Sequence, residues 1–94
     1  MVKAKRKRDL VTVGNRYVEV RIRGYSDEFE RFVEREFKHF GFKSDGSGYD
    51  FTGYQDVGGG APDEETAKAA RDYFNLFPGV RAKIHPYFDW VTVK

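Results

Sequence analysis

The chain contains no cysteine. That absence removes disulfide bonds, thiolate metal sites and a cysteine nucleophile. Histidine is nearly as scarce, with only His39 and His85. A zinc site needs about four ligands, and no spacing in the chain supplies them. The three serines, Ser26, Ser44 and Ser47, fall in turn or cap contexts and not in a nucleophile elbow. No apolar run approaches the roughly 20 residues that span a bilayer. The N-terminus is charged with no apolar stretch behind it, unlike a secretory signal, so the expected setting is cytoplasmic with no membrane partner. The triplet Gly58-Gly59-Gly60 lacks the Gly-Lys-Ser/Thr of a phosphate-cradling loop, and the acidic run Asp63–Glu65 behind it repels phosphate. Asp45-Gly46-Ser47-Gly48 with Asp50 is too short for a calcium loop and lacks its terminal glutamate. These absences point to a non-enzymatic protein without a metal or other cofactor.

What is present is enough for one small core. Ninety-four residues correspond to one domain, and 39% hydrophobic and 17% aromatic content argues against disorder. The net charge of +2 divides unevenly. Lys3, Lys5, Arg6, Lys7 and Arg8 lie in the first eight positions with no acid among them. Setting those five aside leaves 12 basic against 15 acidic groups, a net of −3. Residues 1–9 therefore read as a basic flexible arm on a mildly acidic body, residues 10–94. Such an arm binds phosphates by releasing counterions, or serves only as a solvated terminus.

Leu10-Val11-Thr12-Val13 is a short apolar run followed by a Gly14-Asn15 turn. It either pairs as an extra strand or leads into the next one. Tyr17–Arg23 alternates, with Val18, Val20 and Ile22 on one face and Tyr17, Glu19, Arg21 and Arg23 on the other, as in a half-buried strand. Ser26 or Asp27 then caps a helix whose buried face is Phe29, Phe32, Val33, Phe37 and Phe40 and which ends at Gly41. Phe42-Lys43 opens a second extended segment. Asp45–Gly48 has the composition of a hairpin turn, and Tyr49–Tyr54 reads as the returning strand, reaching toward Val57. Gly58–Pro62 reads as a flexible loop. Asp63 caps a second helix with Ala67, Ala70, Phe74 and Phe77 inward, stopped by Pro78-Gly79. Val80–Lys94 alternates again, and Pro86 either bulges or divides it.

The order strand, helix, strand, strand, helix, strand predicts an α+β, ferredoxin-like βαββαβ sandwich. Its four-stranded antiparallel sheet carries both helices on one face, in the order fourth, first, third, second. The other face stays open. With Val18, Val20, Ile22, Val80, Ala82 and Ile84 toward the helices, Arg21, Arg23, Arg81, Lys83 and His85 face out together. Tyr49 and Phe51, placed on the third strand, join them in one register. The other register turns Asp50, Thr52 and Tyr54 outward instead. Cations beside flat rings form a stacking platform for single-stranded nucleic acid.

Ser47-Gly48-Tyr49-Asp50-Phe51-Thr52-Gly53-Tyr54 resembles the third-strand signature of the RNA-recognition motif family. It matches the glycine and all three aromatic positions and departs at Ser47, Asp50 and Thr52. The resemblance implies that Tyr49 and Phe51 stack bases. A second resemblance is to the acylphosphatases, carried by Gly24 through Phe29-Glu30-Arg31-Phe32-Val33 and by Phe77-Pro78-Gly79-Val80-Arg81. It implies the same fold. Glu30 stands where that family has its phosphate-binding arginine, the loop before it is acidic, and the second-strand asparagine is missing, so the activity is not expected.

The sequence thus predicts a small protein that binds single-stranded RNA or DNA. Tyr49 and Phe51 would stack bases, Arg21, Arg23, Arg81, Lys83 and His85 would hold phosphates, and Lys3, Lys5, Arg6, Lys7 and Arg8 would add nonspecific affinity. The alternative is a protein-interaction or inhibitor module, of phage or mobile-element type, using the same face or a sheet edge against a protein partner or as a homodimer.

Overall fold

The computed structural model describes residues 7–12, 14–50 and 52–93, with side chains described over 14–50 and 52–87. Eight elements follow one another: β1 (Lys7–Thr12), β2 (Tyr17–Arg23), α1 (Asp27–Phe40), β3 (Lys43–Tyr49), β4 (Tyr54–Gly60), α2 (Glu64–Phe74), β5 (Arg81–His85) and β6 (Phe88–Val93). Strands β3, β4, β2 and β5 form one antiparallel sheet in that spatial order. Counting β2 as the first strand of the sandwich, this is the fourth–first–third–second arrangement predicted above, and the α+β fold class holds.

Local chemistry explains the helices. Ser26 is the N-cap of α1, and its hydroxyl accepts the Phe29 N–H at 3.2 Å. Asp27, Glu28 and Glu30 fill the first turn, where the helix dipole favours acids. Gly41 closes the helix at φ 79°, a left-handed conformation that glycine adopts without strain. In α2, Asp63 accepts the Thr66 N–H at 2.7 Å. The helix ends at Phe74, earlier than Pro78-Gly79 suggests, because Asn75 clamps its end to β5. The Asn75 side chain donates to the Ala82 carbonyl at 3.1 Å and accepts the Ala82 N–H at 2.9 Å. Phe77 lies beyond the helix but still packs inward, its ring centre 5.2 Å from that of Phe32.

The core lies between the helices and one sheet face. Val18, Val20, Val57 and Ala82 come from the sheet, Phe29, Val33 and Phe37 from α1, and Ala67, Ala70 and Phe74 from α2. Phe37 is at its centre, stacked on Phe42 at 4.7 Å and edge-on to Phe74 at 5.6 Å. Gln55 is buried among these apolar groups. Its side-chain carbonyl accepts the Ser26 N–H at 2.8 Å, which ties β4 to the start of α1.

Three expectations are corrected. First, Asp45–Gly48 is not the hairpin turn but part of β3, with an irregularity between Ser44 and Gly46. The turn forms around Asp50 and Gly53. Asp50 Oδ1 accepts the Thr52 N–H and hydroxyl and the Tyr54 N–H, and Gly53 has φ 89°. An Asx-type network outcompetes a merely glycine-rich composition. Second, Gly58-Gly59-Gly60 is not a loop but the buried end of β4. Rings replace the missing side chains. A Cβ on Gly59 would lie 3.0 Å from Phe37, one on Gly60 2.6 Å from Tyr87, and one on Gly58 would collide with Tyr17. Third, residues 7–9 of the expected flexible arm are strand. Lys7, Arg8 and Asp9 belong to β1, which pairs with β6 from Lys7 opposite Val93 to Thr12 opposite Phe88. Its partner strand lies at the other end of the chain, so no local pattern announces the pairing. Pro86 therefore divides the last segment into two strands of different sheets. The Tyr87 N–H donates to the Gly14 carbonyl at 2.8 Å at the base of this two-stranded ribbon.

Candidate functional site

Cross-strand register sorts the sheet's side chains by face, because directly paired residues project to the same side. Val18, Val20, Val57 and Ala82 face the helices. The open face therefore carries Tyr17, Glu19, Arg21 and Arg23 of β2, Tyr54, Asp56, Gly58 and Gly60 of β4, and Arg81, Lys83 and His85 of β5.

Arg21, Arg23, Arg81 and Lys83 line one concavity of about 440 Å³ together with Tyr54, Ile22 and Gly79. No carboxylate is among the lining residues. The Arg21 guanidinium carbon sits 4.7 Å from the centre of the Tyr54 ring, a cation–π contact. Its Nη2 donates to Asp50 Oδ2 at 3.2 Å. The Thr52 hydroxyl and the Tyr54 N–H hold the Asp50 carboxyl below the usual range, so that contact keeps its charge. Two neighbours thus hold Arg21 in place. Arg23, Arg81 and Lys83 have no carboxylate within ion-pair distance among the described residues.

The Tyr17 end of the same face is aromatic, and two carboxylates lie between it and the concavity, Glu19 directly opposite Lys83 and Asp56 directly opposite Arg21. Tyr17 and Tyr87 stack at 6.1 Å with an interplanar angle of 25°, over the strip cleared by Gly58 and Gly60. The Arg16 guanidinium carbon lies 5.7 Å from the Tyr87 ring centre. His85 Nε2 is 3.2 Å from Glu19 Oε1. Burial, with Glu19 beside it, pushes the Asp56 carboxyl up. Burial also pushes the Tyr17 phenol up to about 12, reinforced by the facing Asp45 carboxylate. The Tyr17 phenol is therefore expected to ionise late in an absorbance titration. A folded-state value above the ordinary 10 means the unfolded chain loses that proton first, so stability is full below pH 10 and declines between about pH 10 and 12. A Tyr17→Phe variant that keeps the late titration would contradict this assignment.

The predicted site residues are therefore divided. Arg21, Arg23, Arg81 and Lys83 come together as expected. His85 shares the face but sits at its aromatic end, opposite Tyr17 and paired with Glu19. Tyr49 is not on the third strand of the sandwich and not on the open face. It belongs to edge strand β3, opposite the inward Gln55, and its ring meets Tyr25 edge-on at 5.8 Å on the helix side, 56% exposed. The eight-residue stretch that resembles the RNA-recognition signature straddles the β3–β4 turn, so its rings do not share one strand. Phe51, Lys3, Lys5 and Arg6 lie outside the described residues, and Lys7 and Arg8 are placed on β1 by backbone alone.

Three rings replace Tyr49 on the open face. Tyr54 was available from the second register of its strand, and Tyr17 from the alternation of β2. Tyr87 carries no periodic signal, since it sits in the link after Pro86. Among the described residues no group of three or more histidine, aspartate or glutamate side chains is placed to hold a metal ion. No helix of the described residues is long and apolar enough to cross a membrane. Compared with known proteins, the chain matches no family model, no curated protein and no solved structure.

Proposed function

We propose that the protein binds single-stranded nucleic acid across the open sheet face, without catalysis. The observation that carries this reading is the convergence of Arg21, Arg23, Arg81 and Lys83 around Tyr54 in one concavity free of lining carboxylates. Guanidinium and ammonium groups neutralise phosphates, and a ring beside them offers a surface on which a base stacks. Asp56, directly opposite Arg21, and Glu19, directly opposite Lys83, repel a phosphate chain from the middle of the sheet, so the strand lies toward Arg23, Arg81 and Tyr54. A mixed-sequence labelled 12-mer is the probe. Its affinity is expected to fall steeply between 50 and 200 mM salt, as counterion release requires. Tyr54→Ala is expected to weaken binding about tenfold, the loss of one stacked base. Tyr49→Ala, on the helix side, is expected to leave affinity within about twofold. Equal effects of the two tyrosine variants would overturn the reading.

The protein-interaction reading has its own supporting observation. All seven residues of edge strand β3 are exposed, and Tyr25 and Tyr49 form an exposed ring pair beside it. A 12-mer that does not bind, together with a dimer in light scattering, favours that reading instead.

A further inference from the structure

Arg21 of β2 lies directly opposite Arg81 of β5 in the sheet register. Like charges in directly opposed positions work against strand pairing. Asp50 engages Arg21 alone, leaving Arg81 and the adjoining Arg23 and Lys83 without an acid partner among the described residues. The Arg21 Nε meets no hydrogen-bond acceptor among the described residues, so Asp50 satisfies only part of that guanidinium. The concavity, about 440 Å³, has the size of a small-ligand pocket and holds one nucleotide rather than a folded partner.

From these observations we infer that the concavity recognises the terminal phosphate of a nucleic-acid strand. The inference rests on the nucleic-acid reading and narrows it from strand to strand end. The chemistry favours a monoester over an internal linkage. A phosphodiester carries one negative charge and two unsubstituted oxygens. A terminal phosphate carries about −1.5 to −2 near pH 7 and three strong acceptor oxygens. Two opposed guanidinium groups, flanked by a third and by an ammonium, match the denser charge. The guanidinium fork also pairs two phosphate oxygens at once, which a lysine does not. Asp50 and Asp56 act on Arg21 from its other side, and an anion seated between Arg21 and Arg81 relieves the repulsion that remains, so the unfavourable pairing becomes part of the binding energy.

The test uses the full chain and three versions of one 12-mer: phosphate on the 5′ end, on the 3′ end, or on neither. One of the phosphorylated strands is expected to bind about tenfold more tightly than the hydroxyl-ended strand at low salt. The preference is expected to disappear in Arg81→Ala and in Arg81→Gln, while both variants bind the hydroxyl-ended strand about fivefold more weakly, the loss of one phosphate contact. Equal affinity for all three strands would overturn the inference and leave the proposed function standing. A preference that survives both Arg81 variants would also overturn it, by placing the end-binding group elsewhere. Failure of every strand to bind would remove the inference and the proposed function together.

Discussion

Replacing Phe37 with alanine is expected to cost about 3–5 kcal/mol of folding free energy, enough to unfold a marginal domain of this size. The ring is fully buried. It stacks on Phe42, meets Phe74 edge-on and fills the space left by the missing side chain of Gly59. Removing it abandons contacts to both helices, to β4 and to the segment entering β3. The neighbours close the void poorly, because the sheet below is backbone and glycine rather than adjustable side chains. Chemical denaturation of Phe37→Ala beside Phe37→Leu measures the difference. Leucine keeps most of the apolar volume and is expected to lose markedly less. Equal losses in the two variants would show that the ring's stacking, rather than the volume it fills, governs stability.

The double variant Arg23→Ala, Arg81→Ala is expected to bind the hydroxyl-ended 12-mer about 25-fold more weakly at 0.1 M salt. Each single-strand phosphate contact contributes roughly 0.7 to the log–log salt slope, so two lost contacts flatten it by about 1.4. Both residues are exposed and neither makes an ion pair among the described residues. Their removal is therefore expected to move stability by no more than about 0.5 kcal/mol. Arg21 is a poorer choice for this measurement, since it also pairs with Asp50 and lies over Tyr54. Lower affinity with an unchanged salt slope would mean that the two arginines act by shape or packing rather than by holding phosphates.

The two predictions test different levels of the molecule. Core packing around Phe37 sets whether the sheet exists. The charge on Arg23 and Arg81 sets what the sheet's open face attracts. Register joins the two levels, since inward Val18 and Val20 oblige Arg21 and Arg23 to face out.

The alternation of β2 and β5 and the caps Ser26 and Asp63 were legible because they are local. Period two puts Arg21, Arg23, Arg81 and Lys83 on one side of the backbone wherever those strands form. A capping hydroxyl or carboxylate acts on N–H groups two or three residues away. From such local signals the amino-acid sequence determined the βαββαβ order of the sandwich and placed Arg21, Arg23, Arg81 and Lys83 on one face. Tertiary structure decided the rest. Asp45–Gly48 and Asp50–Gly53 both have turn composition, and only the hydrogen bonds of Asp50 choose between them. That choice moves Tyr49 to the helix side and Tyr54 to the open one. Gly58–Gly60 reads as punctuation until Tyr17, Tyr87 and Phe37 arrive from distant positions to cover it. β1 acquires its role only when β6 reaches it from the other end of the chain. In each case the deciding contact joins residues far apart in the chain, and a periodicity that spans a few neighbours carries no information about it.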